Sequence, residues 1–143
     1  MAEAIFRKLT EEEAEPKWQV SSAGIYAATG SPATHEALEV VKGFGLDISG
    51  HSARQLTMEV LKDVDIILTM TVSHKQSIQN QFPLVADGVF TVKEYAGRTD
   101  GLDITDPYGQ GLEAYHAAAA ELRENLALVW ERLERETRGS GGP

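Results

Sequence analysis

Apolar residues recur at alternating steps of three and four along Leu112, Tyr115, Ala119, Leu122, Leu126, Val129 and Leu133, and this stripe predicts one long amphipathic helix near the end of the chain. Upstream the pattern changes. Val64-Asp65-Ile66-Ile67-Leu68-Thr69-Met70 is nearly all apolar and β-branched, as expected of a strand covered on both faces. Lys17–Ser22 and Gly88–Lys93 are two further strand candidates. Between them the sequence predicts helices. The first segment, from Met1, already reads as helix without a capping residue. Ser31-Pro32 offers an N-cap with Pro at the first helical position, opening a helix to about Phe44 that Gly43 and Gly45 end. Two more are expected over Met58–Asp63, after Thr57, and over Thr71–Phe82. Strands separated by helices of this length predict a parallel α/β sheet. Ligands of such sheets bind beyond the carboxyl ends of the strands. The Ser22-Ala23-Gly24 turn, the Met70-Thr71 turn and the loop leading to Asp106 all fall there.

Composition narrows the function classes. The 143 residues suit one domain, expected over residues 1–136, with 137–143 as a flexible Gly/Ser tail. A net charge of −9 gives no basic footprint for nucleic acid. The densest acidic run, Glu11-Glu12-Glu13-Ala14-Glu15, reads as the solvated end of the first helix. No stretch is long and apolar enough to span a membrane, and no basic-then-apolar leader stands at the N-terminus, so the expected location is cytoplasmic. The chain has no cysteine, which excludes disulfides, thiolate chemistry and Cys-ligated zinc within these residues. No His and carboxylate pair sits at metal-ligand spacing, and there is no GxGxxG or P-loop motif, so neither metal nor cofactor is expected.

Two short segments carry candidate chemistry. In Asp106-Pro107-Tyr108-Gly109, Pro107 fixes its own φ and restricts Asp106, aiming that carboxylate in one direction. Tyr108 adds an apolar wall with a polar tip, and a carboxyl group desolvated beside an aromatic ring is suited to donating a proton. Asp-Pro is also a common entry turn to a helix, and that structural reading stands beside the chemical one. In His51-Ser52-Ala53-Arg54-Gln55-Leu56, the His is either an ordinary loop residue or a brace that hydrogen-bonds a neighbouring Ser. Ser52 to Gln55 has capping-box spacing as well.

Taken in order, Met-Ala-Glu-Ala-Ile-Phe, Ser22-Ala23-Gly24-Ile25, His51-Ser52-Ala53-Arg54-Gln55-Leu56, the strand through Met70, Val92-Lys93-Glu94-Tyr95 and Asp106-Pro107-Tyr108-Gly109 resemble the low-molecular-weight protein phosphatase family. The likeness runs from Met1 to about Glu134. His74-Lys75-Gln76 and Phe90-Thr91-Val92-Lys93-Glu94-Tyr95 look most like its bacterial protein arginine phosphatase branch. The resemblance implies a flavodoxin-like three-layer fold with a parallel four-stranded sheet, and phosphorylated proteins as substrates. It also implies that Asp106 is the general acid, that Tyr108 lines the substrate mouth, and that Ser22 and His51 brace the phosphate loop.

One departure bears on activity. In the family a strand and a Cys-x5-Arg-Ser/Thr-Pro loop precede the helix beginning Met-Ala-Glu, supplying the thiolate nucleophile, the backbone N–H cradle and the phosphate-binding Arg. That strand and loop have no match in this chain, so it is expected to be inactive as it stands and open to self-association through unpaired strand edges. The rival expectation is a catalytically dead phosphatase-like module that binds or regulates. An in-frame Cys loop upstream of Met1 in the genomic DNA would favour the enzyme, and an in-frame stop the module. A flavin-binding module of the same fold is disfavoured, and a yellow chromophore in purified protein would reopen it.

Overall fold

The computed structural model describes residues 1–11, 18–24 and 30–140, the last four of these by backbone alone. Helix α1 (Ala2–Glu11) carries Glu3 in its first turn and Lys8 in its last, signs that suit the helix dipole. It lies along the final helix α6 (Leu112–Ser140). Ile5 is buried between them, and Phe6 and Trp18 both meet the Trp130 ring edge-on, with centroids 6.1 and 6.0 Å away. Helix α2 (His35–Lys42) presents Val40, fully buried, to Tyr115 and Ala119 on another stretch of α6. A single turn, α3 (Met58–Leu61), leads to strand β1 (Ile67–Thr69) and helix α4 (Val72–Gln81). A 3₁₀ turn over Pro83–Gly88 returns the chain to strand β2 (Val89–Thr91), and α5 (Val92–Tyr95) follows without a break.

Strands β1 and β2 pair in parallel, Ile67 opposite Val89 and Thr69 opposite Thr91, with α4 as the crossover. The main core gathers Ile5, Val92, Tyr95, Ile104, Leu122, Leu126 and Val129 between α1, α5, α6 and the loop after α5. The stripe read from the sequence therefore does face the core, from Tyr115 to Leu133. Leu112 is the exception and stays exposed.

Several expectations require correction. Among the described residues the sheet has two strands, where three strand candidates were read within this chain. The Lys17–Ser22 candidate is not strand over its described part, residues 18–22, because side chains take its carbonyls: Arg7 donates to Val20 O and Arg54 to Ser22 O. Just beyond it, Gly24 forms an isolated bridge to Gln55. The Gly88–Lys93 strand stops at Thr91, because the Thr91 hydroxyl accepts from Glu94 N while the Glu94 carboxylate accepts from Thr91 N, a capping box that starts α5. Ser31 and Pro32 do not open α2. Thr34 does, its hydroxyl accepting from Ala37 N at 3.2 Å. Ser52–Gln55 caps no helix, and Thr57 caps α3 instead. Helix α6 runs through Ser140, so residues 137–140, expected in the tail, have helical backbone; each added residue gains one bond once the helix exists. Of the acidic run, Glu11 is exposed at the end of α1, and Glu12 to Glu15 fall outside the described residues.

Candidate active site

The carboxyl end of β1 organises the first part of the site. The Thr69 hydroxyl donates to Thr71 O, and the Thr71 hydroxyl caps α4 by accepting from His74 N at 3.1 Å. The loop that follows α5 comes back to this point. Ile104 N donates to Met70 O at 2.8 Å, the Ile104 side chain is 2% exposed, and an Asp103 carboxylate oxygen accepts from Val72 N at 2.8 Å. Asp106 follows two residues after this anchor.

Asp106 begins a tight turn. Its Oδ1 accepts from Tyr108 N at 3.1 Å, and its carbonyl accepts from the Gln110 side-chain amide at 2.9 Å. Gln110 N closes onto Pro107 O, and Gly109 and Gly111 take φ of +76° and +92°, where a Cβ would be strained. Asp106 is exposed and Tyr108 is 72% exposed. The expected desolvation of the carboxyl group by the neighbouring ring is therefore not present in this state, because the ring projects to solvent. What the turn does supply is an exposed carboxylate, held by Tyr108 N, beside an exposed aromatic ring.

Ser22 and His51 meet through a residue the sequence reading passed over. Glu3, in the first turn of α1, accepts from the Ser22 hydroxyl at 3.0 Å and lies 4.0 Å from His51 Nδ1, with Arg7 3.6 Å away on the same carboxylate. The backbone of residues 51–56 holds both sides of this region. Gly24 N donates to Arg54 O, Leu56 N to Gly24 O, Gly30 N to Ala53 O and Ala53 N to Ser31 O. Arg7 and Arg54 bring two cations to residues 20–22, but each donates to a backbone carbonyl, Val20 O at 2.7 Å and Ser22 O at 3.0 Å. Beyond its place in the Met-Ala-Glu start, the sequence signal for Glu3 was an acid in the first turn of a helix, where dipole alone would also place one.

The four candidate residues thus form two groups. Ser22 and His51 share Glu3 at the start of α1, while Asp106 and Tyr108 share one turn beyond β1. Among the described residues, no cluster of His, Cys, Asp and Glu is arranged to hold a metal ion. No described helix is long and apolar enough to cross a membrane.

A model of the family described as low molecular weight phosphotyrosine protein phosphatase matches residues 1–139. The protein-arginine-phosphatase of Bacillus subtilis is 36% identical over 138 residues, 96% of this chain and 90% of the relative. A low molecular weight protein tyrosine phosphatase from T. tengcongensis, known by crystal structure, is 42% identical with a TM-score of 0.85, over 92% of this chain and 88% of that one. A cysteine-to-serine variant of an arginine phosphatase, with its active-site serine phosphorylated, is 35% identical with a TM-score of 0.89, over 96% of this chain and 88% of that one. The α/β fold is the flavodoxin-like one.

Proposed function

The chain belongs to the low molecular weight phosphotyrosine protein phosphatase family, and from that premise we propose that its fold serves to hydrolyse phosphotyrosine or phosphoarginine in proteins. Relatives named for each substrate support both, and the arginine phosphatases favour the second. The observation that carries the reading is the Asp106 turn, pinned two residues upstream by Ile104 N–H on Met70 O at the carboxyl end of β1.

In this reading a thiolate attacks phosphorus and an S–P bond forms as the bond to the tyrosine oxygen or guanidino nitrogen breaks. Asp106 gives its proton to that leaving atom. Water then attacks the phosphocysteine, Asp106 takes the water proton, and the S–P bond breaks to release phosphate. The phosphorylated active-site serine of the arginine phosphatase variant supports a covalent intermediate on that side chain. Tyr108 flanks the substrate group, and Ser22 and His51, joined by Glu3, steady the segment next to α1. No metal and no cofactor takes part. The catalytically complete form has a four-stranded parallel sheet, with a strand bearing the Cys loop between residues 18–24 and β1, and self-association through strand edges in its absence belongs to the same proposal.

These 143 residues contain no cysteine, so they carry the acid and not the nucleophile. Loss of a nucleophile costs roughly 10⁵–10⁶ in turnover. The purified chain is expected to show no hydrolysis of an aryl phosphate or a phosphoarginine peptide above buffer, and steady, vanadate-sensitive turnover would overturn this. A second reading, a binding or regulatory module, is favoured by the same missing thiol. It predicts saturable binding of a phosphorylated peptide by a chain that never hydrolyses it.

A further inference from the structure

We infer that Asp103 is a positioning residue that fixes the Asp106–Tyr108 turn against the carboxyl end of β1. This deepens the phosphatase reading, since a general acid has to be held near one line of attack. The hydrogen bonds of the turn itself close inside it: Tyr108 N to Asp106 Oδ1, the Gln110 side chain to Asp106 O, and Gln110 N to Pro107 O. They shape the turn without fixing where it sits. Two bonds immediately upstream do that. Ile104 N donates to Met70 O, and Asp103 Oδ1 accepts from Val72 N, so consecutive residues clamp the loop to Met70, just beyond β1, and to Val72, the first residue of α4.

The chemistry of the Asp103 contact suits a clamp. Thr71 satisfies the N–H of His74, which leaves the Val72 N–H as a separate free donor at the start of a ten-residue helix. A carboxylate there gains a charge-assisted bond and a favourable dipole interaction. Ile104 contributes a backbone bond and a buried side chain, and so cannot be altered without disturbing the core. Asp103 is exposed and acts from outside the core. Its loss lets water satisfy Val72 N–H and frees the loop to swing on Ile104, with Gly101 (φ +55°) just before the clamp.

Amide exchange and ¹⁵N relaxation on the full 143-residue protein test this. With Asp103→Ala, Val72 N–H exchange is expected to rise about tenfold, as for one hydrogen bond lost. The order parameters of Tyr108 to Gln110 fall below about 0.6, the flexible range. Asp103→Asn keeps an acceptor oxygen and is expected to retain the ordered turn, while exchange at Leu126 is unchanged in both. Faster Val72 exchange with an unchanged turn would make Asp103 a helix cap only and overturn the inference. Unchanged Val72 exchange would overturn it too. If Asp103→Ala loosens the whole fold, Asp103→Asn decides: an ordered turn supports the clamp and a loose one refutes it. None of these readouts involves turnover, so failure of the phosphatase reading would show separately, in the activity of Asp106 variants.

Discussion

Tyr95 ends the helix before the loop that carries Asp106, and the two are held in opposite ways. Tyr95 is buried, its hydroxyl donates to Glu136 at 2.6 Å, the Arg132 guanidinium stacks 3.8 Å above its ring, and Arg132 also donates to its carbonyl. Around it, Lys75 bonds both Glu94 oxygens, Lys93 pairs with Glu121, and Arg98 reaches buried Asn125. These contacts join α4, α5 and α6 to one another. Asp106 spends its hydrogen bonds within its own turn and remains exposed. One region is tied across elements and the other within a loop, so under the proposed function the tied part locates the chemistry and the turn presents it. That division is usual for functional loops on a scaffold.

Electrostatics reinforce the contacts around Tyr95. Burial, then the Glu136 hydrogen bond, pushes the Tyr95 hydroxyl up to about 12, and the same bond, then Arg132, holds Glu136 below the ordinary carboxylate value. The Lys75 hydrogen bond, with help from Thr91 N, likewise holds Glu94 down.

The contrast can be broken most strongly from the scaffold side. Leu126→Ala empties a fully buried position and should cost about 2–5 kcal/mol, a large share of a typical ~5–15 kcal/mol. Denaturant unfolding measures it, and a loss below about 1 kcal/mol would mean that α6 is not the centre of the core. Tyr95→Phe should cost less, and that cost should disappear at high pH. An unfolded tyrosine ionises near 10 and the folded one near 12. Its contribution is therefore complete below pH 10 and is lost as pH rises through 12. Wild type should weaken over that window and Tyr95→Phe should lose that part of the dependence. Parallel curves would show that Tyr95 is not held buried beside Glu136 in solution. The smallest change in stability is expected for Asp106→Asn, within about ±0.5 kcal/mol. A larger loss would make that carboxylate part of the scaffold.

The sequence disclosed what depends on local pattern. The α6 stripe and the helix after Thr57 are where the sequence put them, and Thr71, read as the first residue of its helix, caps it instead. Thr91-Val92-Lys93-Glu94 carried a legible capping box that β-propensity obscured, and the expected strand ran through it. Residues 17–22 read as strand because Val and Trp suit one, but the described part, 18–22, forms no ladder, and its Val20 and Ser22 carbonyls go to arginine side chains. For the site, Asp106-Pro107 announced its own turn. Glu3, which joins Ser22 to His51, and Asp103, which meets Val72, act across long sequence separations that no local pattern encodes.

The central claim is that Asp106 is the acid of a thiol phosphatase whose nucleophile these residues do not include. It is tested by fusing the family's strand and Cys-x5-Arg loop ahead of Met1 and comparing turnover of a poor leaving group, the phosphate ester of an alkyl-substituted phenol, with Asp106 and with Asn at that position. The fusion should hydrolyse it, and Asp106→Asn should lower kcat by about 10²–10⁴, the usual range for a general acid. An active fusion with the same kcat in both forms would reduce Asp106 to a turn residue and contradict the account.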